Sequence, residues 1–215
     1  MIDFELVIPT GWVHIPTLPE YAKLRDRNIE EIIKRALPDT LPRDKAGPWR
    51  KMLRKDMVEA AVEAQRQGAR GLVMPLTEMQ GMRLPGSLLL TVIGADEGEP
   101  EDPTTVLNSV LADAGDNGIA LEIGGCPAVR VQQIIDSEPL KRKAPSVRVS
   151  YFVAAPDHPG VWGLLTFTVL TDGDVEAEEV QAITLLFDAV VGTLRWADRV
   201  DVPTEDEVLA QMPSD

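Results

Sequence analysis

The chain has 215 residues, 44% hydrophobic and 26% charged, with a formal net charge of −14. That balance fits an ordinary globular protein, and its negative field excludes a general nucleic-acid binder, because a phosphate backbone would be repelled. No run approaches the ~20 apolar residues of a membrane span. The opening MIDFELVIPTGW lacks the basic and apolar regions of a signal peptide, and the single Cys126 excludes an internal disulfide. These features set the expectation of a cytoplasmic protein that contacts neither membrane nor nucleic acid.

In chain order, Phe4, Leu6 and Ile8 alternate onto one face of a strand that Pro9 and Gly11 break just before Trp12. NIEEIIKRAL then reads as a short helix with Asn28 as N-cap and Glu31 three residues on, stopped by Pro38 and Pro42. GPWRKMLRKDMVEAAVEAQRQG is the clearest helix, with Pro48 in its first turn and Gly68 beyond its end. Its apolar stripe is expected to be Trp49, Met52, Leu53, Met57, Ala60, Ala61 and Ala64, with Arg50, Lys51, Arg54 and Lys55 towards the opposite side. ARGLVMPL and GSLLLTVIG read as strands. DPTTVLNSVLADAG reads as a helix capped by Asp102, with Pro103 at its first position and Gly115 after it.

GIALEIGG and PAVRVQQII form strands around a Gly-Gly bend, and SVRVSYFVAA and VWGLLTFTVL form a hairpin around PDHPG. Val147, Val149, Tyr151 and Val153 share one face, as do Leu165, Phe167 and Val169. AEEVQAITLLFDAVVGTLRW closes the order as a helix over the sheet, with Glu178 and Glu179 at its start and Arg195 at its end matching the macrodipole. Strands grouped in sequence predict an α+β fold, an antiparallel sheet with helices packed on its faces. Residues 1–197 are expected to form one domain and 198–215 an acidic tail.

The strand leading into IPTGW, the long hairpin, the run LLTFTVLTDGD and the closing FDAVVGTLRW together resemble the Mog1/PsbP-like group, which includes actinobacterial lipoproteins and small actinobacterial proteins. The resemblance implies an antiparallel sheet flanked by helices, and binding or adaptor roles rather than catalysis. It carries no catalytic residue onto this chain, and the lipoproteins' lipobox cysteine has no counterpart here.

Few residues offer chemistry. His14 and His158 are the only histidines, and Asp157 and His158, neighbours in a tight turn, are poorly placed to support a nucleophile such as Ser150. No motif has metal-ligand spacing; DGDVEAEE matches a calcium loop at Asp172, Asp174 and Glu176 but has Ala177 where glycine is needed. It reads better as a solvated turn before a helix. EIGGCP lacks the lysine of a phosphate loop, and Cys126 has only Arg130 nearby to activate it. Neither catalysis nor a cofactor is therefore expected.

Interaction features remain. From Tyr21 to Arg70 there are thirteen Lys and Arg against eight Asp and Glu, a balance of +5; from Thr171 onward there are two Arg against twelve Asp and Glu, a balance of −10. The quartet Arg50, Lys51, Arg54 and Lys55, with Arg43 and Lys45 upstream, is either a solvated helix face or a dock for an acidic protein surface. In the tail, Thr204 and Glu207 form a capping-box pattern with Val208, Leu209 and Met212 following on one face, a helix docked on its own domain or on a partner. Trp12 beside its corner, with Trp162 near another strand end, either packs on the sheet edge or flanks a groove.

The expected function is a non-enzymatic protein-interaction module, an adaptor, chaperone-like or immunity-like factor with another protein as partner. One alternative is a small apolar ligand, or an enzyme's substrate, held between sheet and helices by Met74, Met79, Met82, Phe152 and Phe187. Another is a homo-oligomer paired through the edge strand at residues 3–9.

Overall fold

The structure is a computed structural model and describes residues 2–37, 43–76, 85–94, 102–138, 142–198 and 206. Its elements are β1 (Ile2–Glu5), β2 (Trp12–Pro16), α1 (Ala22–Ala36), α2 (Arg43–Arg66), β3 (Ala69–Pro75), β4 (Gly86–Ile93), α3 (Pro103–Ala114), β5 (Gly118–Ile123), β6 (Cys126–Ile135), β7 (Ser146–Ala154), β8 (Trp162–Leu170), α4 (Glu178–Val191) and β9 (Arg195–Asp198).

The β7–β8 hairpin is the centre. Its alternating sequence gives β8 strict alternation of half-buried and buried residues. Around it stands a seven-stranded sheet in the order β2-β3-β4-β8-β7-β6-β5, every neighbouring pair antiparallel. The chain lays down β2, β3 and β4, crosses through α3 to the far edge, then meanders back until β8 pairs with β4. The fold is α+β, an antiparallel sheet with helices packed on both faces.

One face is closed. Val73, Leu88, Val147, Val149, Tyr151, Leu165, Phe167 and Val169 line it, and α4 covers it with Val180, Ile183, Phe187, Val190 and Val191. Phe167 and Phe187 stack at 4.8 Å between centroids. Beside α4, β1 and β9 pair into a separate two-stranded ribbon, with Trp196 over Gly163 and edge-on to Phe4 at 5.6 Å. The strand expected at residues 3–9 is thus four residues long, and its partner is β9 rather than an edge of the main sheet. The closing helix ends at Val191; Gly192 follows, and the residues beyond turn back as β9, so Arg195 is a strand residue and not the helix's last turn.

The opposite face is covered only at its flanks. α1 and α2 lie over β2 and β3, burying Ile15, Ile29, Ile33 and Ala61. α3 lies over β5 and β6, burying Leu107, Val129 and Val131. Asp102 caps α3 as expected, its carboxylate accepting the Thr105 N–H at 3.1 Å. α1 begins six residues earlier than the sequence suggested. Asn28 is therefore no cap: it is buried mid-helix and donates its amide to the His14 carbonyl at 2.6 Å. α2 also starts earlier, leaving Pro48 inside the helix.

Two glycines are sterically required. Gly124 holds φ +60° in the β5–β6 turn, where a Cβ would lie 2.5 Å from the Leu194 carbonyl oxygen. At Gly71 a Cβ would overlap the His14 ring, which occupies that space.

Candidate functional site

α2 carries the surface where the sequence reading and the structure differ most usefully. Leu53, Met57 and Ala61, at i, i+4 and i+8, turn towards α1 and β3. Trp49 and Met52, expected in that stripe, do not: they are 51% and 43% exposed. Ala60 is exposed as well. The buried arc is narrower than the apolar arc of the sequence, so two large apolar side chains one turn apart face solvent. They stand among the basic quartet. Arg54 is paired to Glu30 of α1 at 2.8 Å and Lys55 to Glu59 at 3.7 Å. Arg50 and Lys51 are exposed and carry no ion pair among the described residues. Trp49 and Met52, one turn apart, therefore share an exposed side of α2, and Arg50 and Lys51 project around the helix from it.

The other predicted contact residues are dispersed. Trp12 lies on the closed face against Phe187, 4.9 Å between centroids, with its indole N–H buried and unpartnered. Trp162 lies on the opposite face against the α3 cluster. The two occupy opposite faces and opposite ends of the sheet, as their partners Pro75 and Ile93 show, so they do not flank one groove. Val208, Leu209 and Met212 lie outside the described residues, as do Met79 and Met82. Asp206 is described, and pairs with Lys23 of α1 at 3.5 Å. Of the expected pocket residues, Phe187 is in the closed core, Phe152 packs beside α3, and Met74 lines the open face.

The groups that offered chemistry have structural surroundings. His14 points into the closed face, where burial lowers its pKa to about 4; its Nε2 is shielded from solvent and without a partner. It is neutral across the physiological range. His158 is exposed, with Nδ1 2.9 Å from the Pro156 carbonyl oxygen of its own turn. Cys126 is buried and its thiol pKa is raised by desolvation, then by Glu122 and Asp157, which favours the protonated thiol. Asp174 accepts the Glu176 N–H at 2.9 Å, a turn contact. No group of three or more His, Cys, Asp or Glu placed to hold a metal occurs among the described residues. No helix among them is long and apolar enough to cross a membrane.

Sequence reasoning missed a polar network under α4. Arg130 of β6 donates to both carboxylate oxygens of Asp188, at 3.0 and 3.3 Å, and Tyr151 donates its hydroxyl to the same carboxylate. The network pins α4 to the closed face. Arg130 and Tyr151 are cross-strand partners in β6 and β7, a signal that appears only once the register is known.

The class defined by this architecture is an α+β antiparallel sheet with one closed and one partly open face. No protein-family model matches the chain, and no curated protein matches it. Among solved structures it is similar to LpqN, described as involved in cell envelope biogenesis of Mycobacterium tuberculosis. The identity is 12%, 92% of this chain and 85% of that chain are covered, and the TM-score is 0.45.

Proposed function

We propose that the protein is a non-enzymatic, cytoplasmic protein-interaction module of the Mog1/PsbP-like group, an adaptor-type factor that binds an acidic protein partner through the outward face of α2. The observation that carries this reading is the exposed pair Trp49 and Met52 next in sequence to Arg50 and Lys51, which carry no ion pair among the described residues. Trp and Arg are the side chains most enriched among residues that dominate binding energy, and an apolar centre with a charged rim is the usual anatomy of a contact. Residues 21–70 carry a balance of +5 within a chain of net −14, so the basic face of α2 stands out locally and would orient an acidic partner on approach. The binding and adaptor roles implied by the Mog1/PsbP-like resemblance agree with this reading.

The test is affinity capture from a soluble lysate of the source organism, with the intact chain and with Arg50→Glu/Lys51→Glu as bait. The reading expects one stoichiometric protein, retained by the intact chain at low salt, weakened by added salt, and lost on charge reversal. A partner held equally by both baits, or none by either, would count against it.

A further inference from the structure

The open face contains a hollow of about 600 Å³, at the end of the sheet where β3 finishes and β4 begins. It is within the size range of small-molecule sites. Its floor follows from the register. Ser87 of β4 pairs with Thr168 of β8, which pairs with Arg148 of β7, so two hydroxyls and a guanidinium stand in a row across three strands, on the face opposite Phe167. Arg148 is exposed and has no ion pair among the described residues, and neither hydroxyl has a hydrogen bond among them. Beyond that row the lining turns apolar, with Leu170, Pro85 and Met74.

We propose that this hollow binds an amphipathic carboxylate, an aliphatic chain ending in one anionic head. The guanidinium of Arg148 presents the planar fork that matches a carboxylate, with the Thr168 hydroxyl beside it as a further donor. The chain then lies against Leu170, Pro85 and Met74. From β7 to β3 is three strand spacings, about 14 Å, the reach of a medium-length fatty acid. Asp136 also lines the hollow, on the β6 side of Arg148, with its Oδ1 accepting the Glu138 N–H at 2.9 Å. Its charge repels an anionic head on that side, so the head sits between Arg148 and Thr168 and the chain runs across β8 and β4. This site is separate from the α2 contact face and does not depend on it.

The experiment is calorimetric titration of the full chain with dodecanoate below its micelle concentration, and with dodecyltrimethylammonium, which has the same chain and the opposite head charge. The expected result is saturable one-to-one binding of dodecanoate and none of the cation. Arg148→Gln should weaken dodecanoate about tenfold or more, and Arg148→Lys should lose less. Leu170→Asp should abolish binding, and its fold is checked by an unchanged amide NMR spectrum away from β8. Equal dodecanoate affinity in Arg148→Gln, equal affinity for the cationic amphiphile, or no saturable binding at all would overturn the proposal.

Discussion

The two faces of the seven-stranded sheet are made from the same strands and differ in almost every other respect. The closed face pairs Phe167 with Phe187, fills every central position with an apolar side chain, and fastens its helix with the Arg130–Asp188–Tyr151 network. The open face mixes hydroxyls, such as the Ser150–Thr166 pair at 3.1 Å, with half-buried apolar residues, and carries its helices only at the flanks. One side therefore holds the fold together, while the other is free to be specialised. The exposed Trp49 and Met52, and Arg148 with no ion pair among the described residues, all lie on the open side.

The largest expected effect belongs to the closed face. Phe167→Ala should cost about 3–5 kcal/mol in urea unfolding, because it leaves a cavity beneath α4; a cost under 1 kcal/mol would break the distinction between the faces. His14 comes next. Its folded pKa of about 4 lies below the unfolded value near 6.5, so between these pH values the unfolded chain binds the extra proton and stability rises with pH. Its contribution is complete above the unfolded pKa and is lost as pH falls towards the folded one, a change of about 3 kcal/mol. His14→Gln should flatten that part of the stability–pH curve, measured by denaturant midpoints from pH 4.5 to 7.

Asp188→Ala removes the acceptor shared by Tyr151 and Arg130 and should cost about 2–3 kcal/mol, readable in the thermal midpoint. The smallest effect sharpens the contrast from the other side. Thr168→Val on the open face should change stability by less than about 0.5 kcal/mol, although its strand neighbour Phe167 is among the most costly positions to truncate.

Much of this division was legible in the sequence. The alternation of SVRVSYFVAA and VWGLLTFTVL identified the central hairpin and its buried face, and the Asp102–Pro103–Gly115 punctuation placed α3. What failed did so where tertiary contacts override local signals. Asn28 has an N-cap's chemistry but spends its amide on a carbonyl of β2. The apolar arc of α2 looked broad, and only the part facing α1 and β3 is buried. LRW looked like a continuing helix until Gly192 let the chain turn back as β9. The candidate contact face was half legible, since the basic quartet was visible and the outward turn of Trp49 and Met52 was not. Arg148 was invisible as a ligand-facing group because its neighbours Ser87 and Thr168 are distant in sequence and meet it only through strand register.

The most direct test of the account compares the two sides in one assay. The partner captured with the intact chain is titrated against Trp49→Ser/Met52→Ser and, separately, against Leu185→Ser. Leu185 on α4, at 67% exposure, is more open than either α2 residue but stands over the closed face. The account predicts that the α2 variant loses about thirtyfold or more in affinity, as expected for an aromatic anchor, and that Leu185→Ser binds like the intact chain. A loss confined to Leu185→Ser, or no loss in the α2 variant, would place recognition elsewhere and contradict the account.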